Sequence, residues 1–474
     1  MEERILSPRE KARRINLNHG AYGSFAEIGA GQEVAAYFFK AGGASNTVAK
    51  TMSAYDMTFS DAIYGREDSG RYVCEPRLLK MIRREYGLVK KRLDETKGAE
   101  RPFFAFANTV TTINFARTSQ GHGWLGLRFQ LTPRTEPNEA VIHIRMFDKE
   151  ILEQQQVVGI MGVNLMYGCY YLQDNPEKLL CSLMDNLNSE RVEVDMIRIT
   201  GPDFTHIDNR VLSLQLVKNG LSNAAIFGPD GTTLQISDLL YKKDILALRG
   251  RFRPVTLVNV DMMTTGLEQF KNEKDVNPDN IITISELTLN DLKVGDGIDY
   301  QDFLDRVDIL GSLGQTVLIS NYHEYYRLVA FLSQFTKGKI GLVLGAYNLE
   351  QIFDESYYEN LKGGILESFS TLFSRNVKLY VYPAYAKGST TELYTCINFK
   401  LPRHLTDLYE YLIVNQKIDD IADADKANLH IYSDKVLAMI KEGQSGWEKM
   451  VPEIVAEAIK EKQLFGYEPV HNVI

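Results

Sequence analysis

Ile281-Ile-Thr-Ile284, Thr316-Val-Leu-Ile-Ser320, Ile340-Gly-Leu-Val-Leu344 and Val377-Lys-Leu-Tyr-Val-Tyr382 are four short apolar runs, separated by residues 300–313, 325–335 and 361–373. Each run is too short for a helix and is rich in β-branched residues, which reads as a strand. Each intervening segment spaces its apolar residues at helical period. Apolar strands alternating with helices bury both faces of a parallel sheet. The fold class is therefore α/β, a mixed multi-layer architecture with a C-terminal βα-alternating parallel-sheet region and a helical tail.

Outward from that core, residues 272–280 are polar and include Pro278, which marks a domain boundary. The expected organisation is a Gly-rich and helical region at 1–100, a mixed α/β domain at 101–270, a parallel α/β domain at 280–400 and a helical region at 401–474. Ser7-Pro8 opens a helix, and residues 75–97 repeat apolar positions at helical spacing with a basic opposite face. Phe103-Phe-Ala-Phe-Ala107, Leu125-Gly-Leu-Arg-Phe-Gln-Leu131 and Ala140-Val-Ile-His-Ile-Arg-Met146 read as strands, the last two joined as a hairpin. Val192-Glu-Val-Asp-Met-Ile-Arg-Ile199 alternates as a strand. Residues 211–217 put Leu212, Leu214 and Leu216 on one face if extended, and Ala224-Ala-Ile-Phe227 is a further strand. Residues 157–172 form an apolar core element. Beyond 405 the chain reads as helical to 466, with a polar link at 419–426 and Pro452 opening the last helix.

The 474 residues carry a net charge of −9, with 44% hydrophobic and 24% charged residues. That balance excludes disorder and fibrous repeats. It also opposes broad nucleic-acid binding, which needs a basic surface. The N-terminus is charged and lacks the apolar core of a signal peptide, and no run approaches the length of a membrane span. Cys74, Cys169, Cys181 and Cys396 are far apart, so no disulfide framework is indicated. A cytoplasmic location is expected, with no nucleic-acid or membrane partner.

Phe25-Ala-Glu-Ile-Gly-Ala-Gly-Gln-Glu-Val34 is the most motif-like stretch. An acid followed by Gly29-x-Gly31 and a helical run resembles the first motif of S-adenosylmethionine-dependent methyltransferases, where backbone approaches the cofactor. Glu33 replaces a small residue, and Gly20-Ala-Tyr-Gly-Ser24 is a poor strand. Gly42 and Gly43 follow, either ending the helix or forming a phosphate nest, with Lys50 nearby. Arg249-Gly-Arg-Phe-Arg253 sets three guanidinium groups on one face if extended, an anion clamp for phosphate or carboxylate. The structural alternative is pairing of these arginines with local acids such as Asp244 and Asp261, or a charged strand edge that blocks aggregation.

His19, His122, His143, His206, His323, His404, His430 and His471 are scattered without metal-ligand spacing, so no metal site is expected. His122, in a loop beside Trp124, has the chemistry for acid–base work. Gly201-Pro-Asp203 and Asp208-Asn209-Arg210 follow a strand, and those aspartates suit turn and helix caps.

From Phe25 to Glu33, through Lys50-Thr-Met-Ser-Ala-Tyr-Asp56 and Ser60-Asp-Ala-Ile-Tyr-Gly65, the chain resembles a family of uncharacterised bacterial cytosolic proteins. The resemblance continues at Phe106-Ala-Asn-Thr-Val-Thr-Thr-Ile-Asn114, Phe227-Gly-Pro-Asp-Gly231 and Arg253-Pro-Val-Thr256. Members are sometimes labelled nicotinate-nucleotide adenylyltransferase, which implies joining a mononucleotide to the AMP moiety of ATP with magnesium. The His-x-Gly-His and Ser-Thr-x-x-Arg signatures of that enzyme are absent here, so no catalytic residue carries over.

The expected function is binding of a phosphorylated small molecule, a nucleotide with or without Mg, and nucleotidyl or phosphoryl transfer if the protein is an enzyme. Gly29, Gly31, Gly42, Gly43, Arg249, Arg251 and Arg253 are the expected ligand-binding residues, and the catalytic residues stay unassigned. A self-assembling scaffold is the alternative, drawing on 25 tyrosines and 22 phenylalanines, and a homo-oligomer is expected. An S-adenosylmethionine-dependent methyltransferase is the third reading.

Overall fold

Two sheets organise the chain, one in each of two compact units, 1–223 and 224–474. The structure is a computed structural model that describes residues 4–294, 297–374 and 376–469, without the side chains of residues 18, 19 and 294. His471 and the side chain of His19 thus lie outside the described residues.

The first sheet comprises β1 (Tyr22–Gly29), β2 (Val48–Ser53), β3 (Phe103–Thr111), β4 (Gly121–Phe129), β5 (Asn138–Met146) and β6 (Val192–Thr200), in the order β2-β1-β3-β4-β5-β6. β1 runs parallel to both β2 and β3, whereas β3 to β6 form an antiparallel meander. Alternation along the strands sorts the core. Phe25, Phe106, Leu125 and Ile142 face the helices Glu33–Ala41 and Ile151–Tyr171. Ala26, Ala107, Trp124 and Val141 face the helix Glu75–Lys97. Both faces are covered, which makes three layers.

The segment 20–24, expected to be a poor strand, supplies the first three residues of β1, Tyr22 to Ser24. Its register explains this: Gly23 lies beside Phe104, and a Cβ there would sit 2.0 Å from the Phe104 carbonyl oxygen. The extended reading of 211–217 is corrected too. Asn209–Lys218 is a helix, capped by Asp208 accepting from the Arg210 N–H. Its Leu212 and Leu216, one turn apart, enter the core.

The second sheet runs β18-β15-β14-β9-β10-β13-β7-β8, from β7 (Ala224–Phe227), β8 (Thr233–Leu234), β9 (Asp244–Arg249), β10 (Ile281–Thr288), β13 (Thr316–Ser320), β14 (Ile340–Gly345), β15 (Val377–Tyr382) and β18 (Ile418–Asp420). Short ladders pair β11 (Lys293–Val294) with β12 (Gly297–Ile298) and β16 (Ala384–Tyr385) with β17 (Leu393–Tyr394). β9, β10, β13, β14, β15 and β18 are parallel, as the sequence rhythm predicts. The antiparallel β7 and β8 extend one edge. Helices Leu257–Lys271 and Tyr300–Ser312 lie on one face, while Tyr325–Leu332, Gly364–Leu372 and Arg403–Val414 lie on the other.

The boundary expected at 272–280 lies inside this sheet. β9 pairs with both β10 and β14, so the polar segment is a connection from helix to strand, not a linker. The C-terminal region is likewise not purely helical, because Ile418–Asp420 in the expected polar link joins β15 as an edge strand.

Candidate functional site

Each sheet has a point where the chain reverses its direction of winding. After β1 the chain passes through the helix Glu33–Ala41 to β2 on one side. It then returns over the opposite face through Glu75–Lys97 to β3 on the other. Helices leave β1 and β2 on opposite faces, and the carboxyl ends of β1 and β3 at such a reversal are where open α/β sheets take ligands. In the second unit the equivalent point lies between β9 and β14.

The turn at the first point is Gly29-Ala30-Gly31-Gln32. Gly29 has φ of +81° and packs on β3, with a Cβ there only 2.0 Å from the Val110 carbonyl oxygen. At Gly31 a Cβ would lie 1.7 Å from Asn108 Oδ1, and Asn108 Nδ2 donates to the Gly31 carbonyl at 3.1 Å. Gln32 Nε2 reaches Ser53 Oγ at 3.1 Å, tying the turn to the end of β2. Beneath it, Glu27 and Asn108 are cross-strand neighbours, 4% and 0% exposed. Glu27 Oε1 and Asn108 Oδ1 have no hydrogen-bond donor among the described residues. Burial pushes the Glu27 carboxyl up to about 7.

Gly42 and Gly43 stand at the far end of the same helix. Gly42 is its C-cap with φ of +83°, and Gly43 follows at +79°. Lys50 is occupied by the buried Glu85. The turn that ends a helix is thus what these glycines form, on the side of the sheet away from the Gly29–Gly31 turn.

Arg249, Arg251 and Arg253 lie in the second unit, after β9. They do not share one face of an extended strand, because β9 ends at Arg249 and Phe252 has φ of +47°. Their partners are also different from Asp244 and Asp261. Arg249 makes a two-pronged contact with the fully buried Glu286 at 2.8 and 3.0 Å. It also donates to the carbonyls of His323 and Tyr322 and lies 4.4 Å from the Tyr325 ring centre. Arg253 donates to Asp302 at 2.6 Å. Arg251 alone of the three is half exposed, at 3.2 Å from the exposed Asp434.

A third arrangement was not legible in the chain. His122 is part of β4, not a loop, and its Nδ1 is 3.1 Å from His143 Nε2 on β5. His143 Nδ1 is 2.6 Å from Asp195 Oδ1 on β6. His143 and Asp195 are 2% and 3% exposed, and the Trp124 ring packs on His143 with centres 4.8 Å apart. The one signal was polar residues at inward positions of three consecutive apolar strands. Of the expected caps, Asp208 does cap its helix, whereas the Asp203 carboxylate accepts from Asn138 Nδ2 at 2.8 Å.

A cavity of about 160 Å3 lies between β9, β10 and the helices Leu257–Lys271 and Tyr300–Ser312. Its walls are mostly apolar, including Leu248, Phe252, Met263 and Leu310. Among the described residues no group of three or more His, Cys, Asp or Glu gathers as a metal site, and no helix is long and apolar enough to cross a membrane.

No protein-family profile matches the sequence, and no curated protein does. Among solved structures, the competence/damage inducible protein CihA from Agrobacterium tumefaciens is 18% identical with a TM-score of 0.25. The alignment covers 35% of this chain and 97% of that one. A CinA superfamily protein from Enterobacter cloacae is 9% identical with a TM-score of 0.26, over 35% and 94% of the two chains. The likeness is local. At these scores it carries no inference about activity, and the α/β assignment rests on the sheets themselves.

Proposed function

We propose that the protein binds a phosphorylated small molecule, a nucleotide, at the Gly29–Gly31 turn. The observation that carries this reading is the pair of buried acceptors, Glu27 Oε1 and Asn108 Oδ1, left without donors among the described residues beneath a glycine turn at the winding reversal of the sheet. An unsatisfied buried acceptor costs about 1–3 kcal/mol, which a ligand's O–H or N–H would recover. The turn also leads into the start of a nine-residue helix, an end that attracts anionic oxygen, although the Val34 N–H there already donates to the Gly31 carbonyl. A ligand with both phosphate and sugar hydroxyls offers both kinds of partner.

Magnesium enters this proposal as the counter-ion a nucleotide triphosphate brings. Any catalysis is nucleotidyl or phosphoryl transfer, in which positioning and charge stabilisation supply most of the rate. The half-exposed Arg251 is the second candidate anchor. S-adenosylmethionine is the competing ligand for the first, because the strand–Gly-x-Gly–helix setting of that motif is present.

The test is titration calorimetry with ATP and magnesium, AMP and S-adenosylmethionine, on the wild type and on Glu27→Met and Arg251→Ala. ATP or AMP binding that weakens tenfold or more in Glu27→Met, equivalent to about 1.4 kcal/mol, supports the glycine-turn site. Weakening only in Arg251→Ala moves the site to the second unit. No binding of either nucleotide, or binding of S-adenosylmethionine alone, overturns the reading. Native mass spectrometry of the purified protein reads any retained ligand and the oligomeric state together.

A further inference from the structure

The register of the first sheet sets Thr111, the last residue of β3, directly opposite His122, and Gly29 opposite Val110. His122 therefore stands two strands from the glycine turn, at the same carboxyl end of β1 and β3; it lies on the Trp124 face of the sheet and Glu27 on the Phe25 face, so a ligand shared by the two lies across the strand ends. Strands are about 4.8 Å apart, so the lateral separation is roughly 10 Å, within the span of a nucleotide.

Hydrogen-bond logic orients the three groups. A carboxylate only accepts, so Asp195 takes the Nδ1–H of His143, and in the neutral form of His143 its Nε2 is bare. That Nε2 in turn takes the Nδ1–H of His122. His122 Nε2 is left with its lone pair free and has no hydrogen-bond partner among the described residues. Its ring is partly exposed, while the other two groups are buried.

We propose that Asp195, His143 and His122 form a proton relay, and that His122 Nε2 is the general base that activates an attacking hydroxyl or water at the bound ligand. The inference rests on the nucleotide reading given above. As the attacking oxygen bonds to the electrophilic phosphorus, its proton passes to His122 Nε2. The Nδ1 proton of His122 moves to His143 Nε2, and the positive charge comes to rest beside Asp195. The bond from phosphorus to the leaving oxygen breaks with its electron pair, and the proton returns along the same path to that oxygen. Burial, then the neighbouring His143, hold the charged form of His122 itself down to about 4. The proton passed inward meets the Asp195 carboxylate, which supplies the counter-charge that His122 lacks. His122 is the catalytic residue here, and His143 and Asp195 are positioning residues.

A buried polar trio also serves a purely structural end, and the test separates the two. Diethyl pyrocarbonate modifies a free imidazole nitrogen, and peptide mass spectrometry reads the rate at His122. The relay predicts that Asp195→Asn, folded by circular dichroism, slows modification at least tenfold. An unchanged rate overturns the relay. If that variant does not fold, selective 15N labelling of the wild-type histidines decides. A protonated Nδ1 and a bare Nε2 at His122 support the relay, and the opposite tautomer overturns it. Saturating ATP with magnesium is then added to the modification assay. Protection of His122 supports its place at the ligand, and ATP that binds without protecting overturns that placement. If ATP does not bind while the Asp195 dependence holds, the nucleotide reading falls and the relay stands.

Discussion

Asn108 holds Gly31 in a two-sided grip: its Nδ2 donates to the Gly31 carbonyl at 3.1 Å, and its Oδ1 occupies the place of any side chain at position 31. A strand residue thereby sets the conformation of the turn after the neighbouring strand. The carboxamide is fully buried, so it has little freedom to move aside.

Replacing Gly31 with Ala should therefore destabilise the first unit by about 1–3 kcal/mol, the range for overpacking a tight contact. Asn108→Ala in the same chain should recover part of that loss. A double-mutant cycle by urea denaturation checks it, and strict additivity would show that the two residues do not constrain each other.

Glu27 should make stability fall as pH rises. Its carboxyl keeps a proton in the folded state up to about 7, whereas the unfolded chain releases it near 4.5. Below 4.5 both states are protonated and the group exacts no penalty. Between 4.5 and about 7 the unfolded state is progressively favoured, and above that the penalty is constant, on the order of 3 kcal/mol. Glu27→Gln should be more stable than the wild type at pH 8 and close to it at pH 4. Parallel stability curves for the two proteins across that range would contradict the burial of this carboxyl.

Arg249 and Arg251 should behave oppositely despite their proximity in sequence. Glu286→Ala removes a fully buried carboxylate from Arg249, whose side chain is 10% exposed, and should cost about 3 kcal/mol, the low end for an orphaned charge. Arg251→Ala removes only an exposed pair with Asp434 and should change stability by less than about 1 kcal/mol. Thermal melts of the two variants compare them directly.

The cap at Asp208 offers a local check. Its carboxylate accepts from the Arg210 N–H at 2.8 Å at the start of the helix Asn209–Lys218. Asp208→Ala should cost about 1 kcal/mol, and Asp208→Asn much less. Equal losses in both would point to the Arg210 ion pair rather than the cap.

Local sequence pattern carries the α/β class, the parallel direction of the C-terminal βα strands, the helix Glu75–Lys97 and the hairpin of β4 and β5. Those features follow from apolar period, turn residues and propensity, all of which act over a few residues. Tertiary structure decided the rest. Residues 211–217 satisfy a strand pattern as well as a helical one, and only the Asp208 cap and the core contacts of Leu212 and Leu216 choose between them. The arginines face a clamp on paper, but their carboxylates come from Glu286, Asp302 and Asp434, which lie between 37 and 183 residues away. Likewise His122, His143 and Asp195 become neighbours only through the register of three strands, separated by 21 and 52 residues along the chain. Such pairings depend on how strands align across a sheet, a long-range property that no local period encodes.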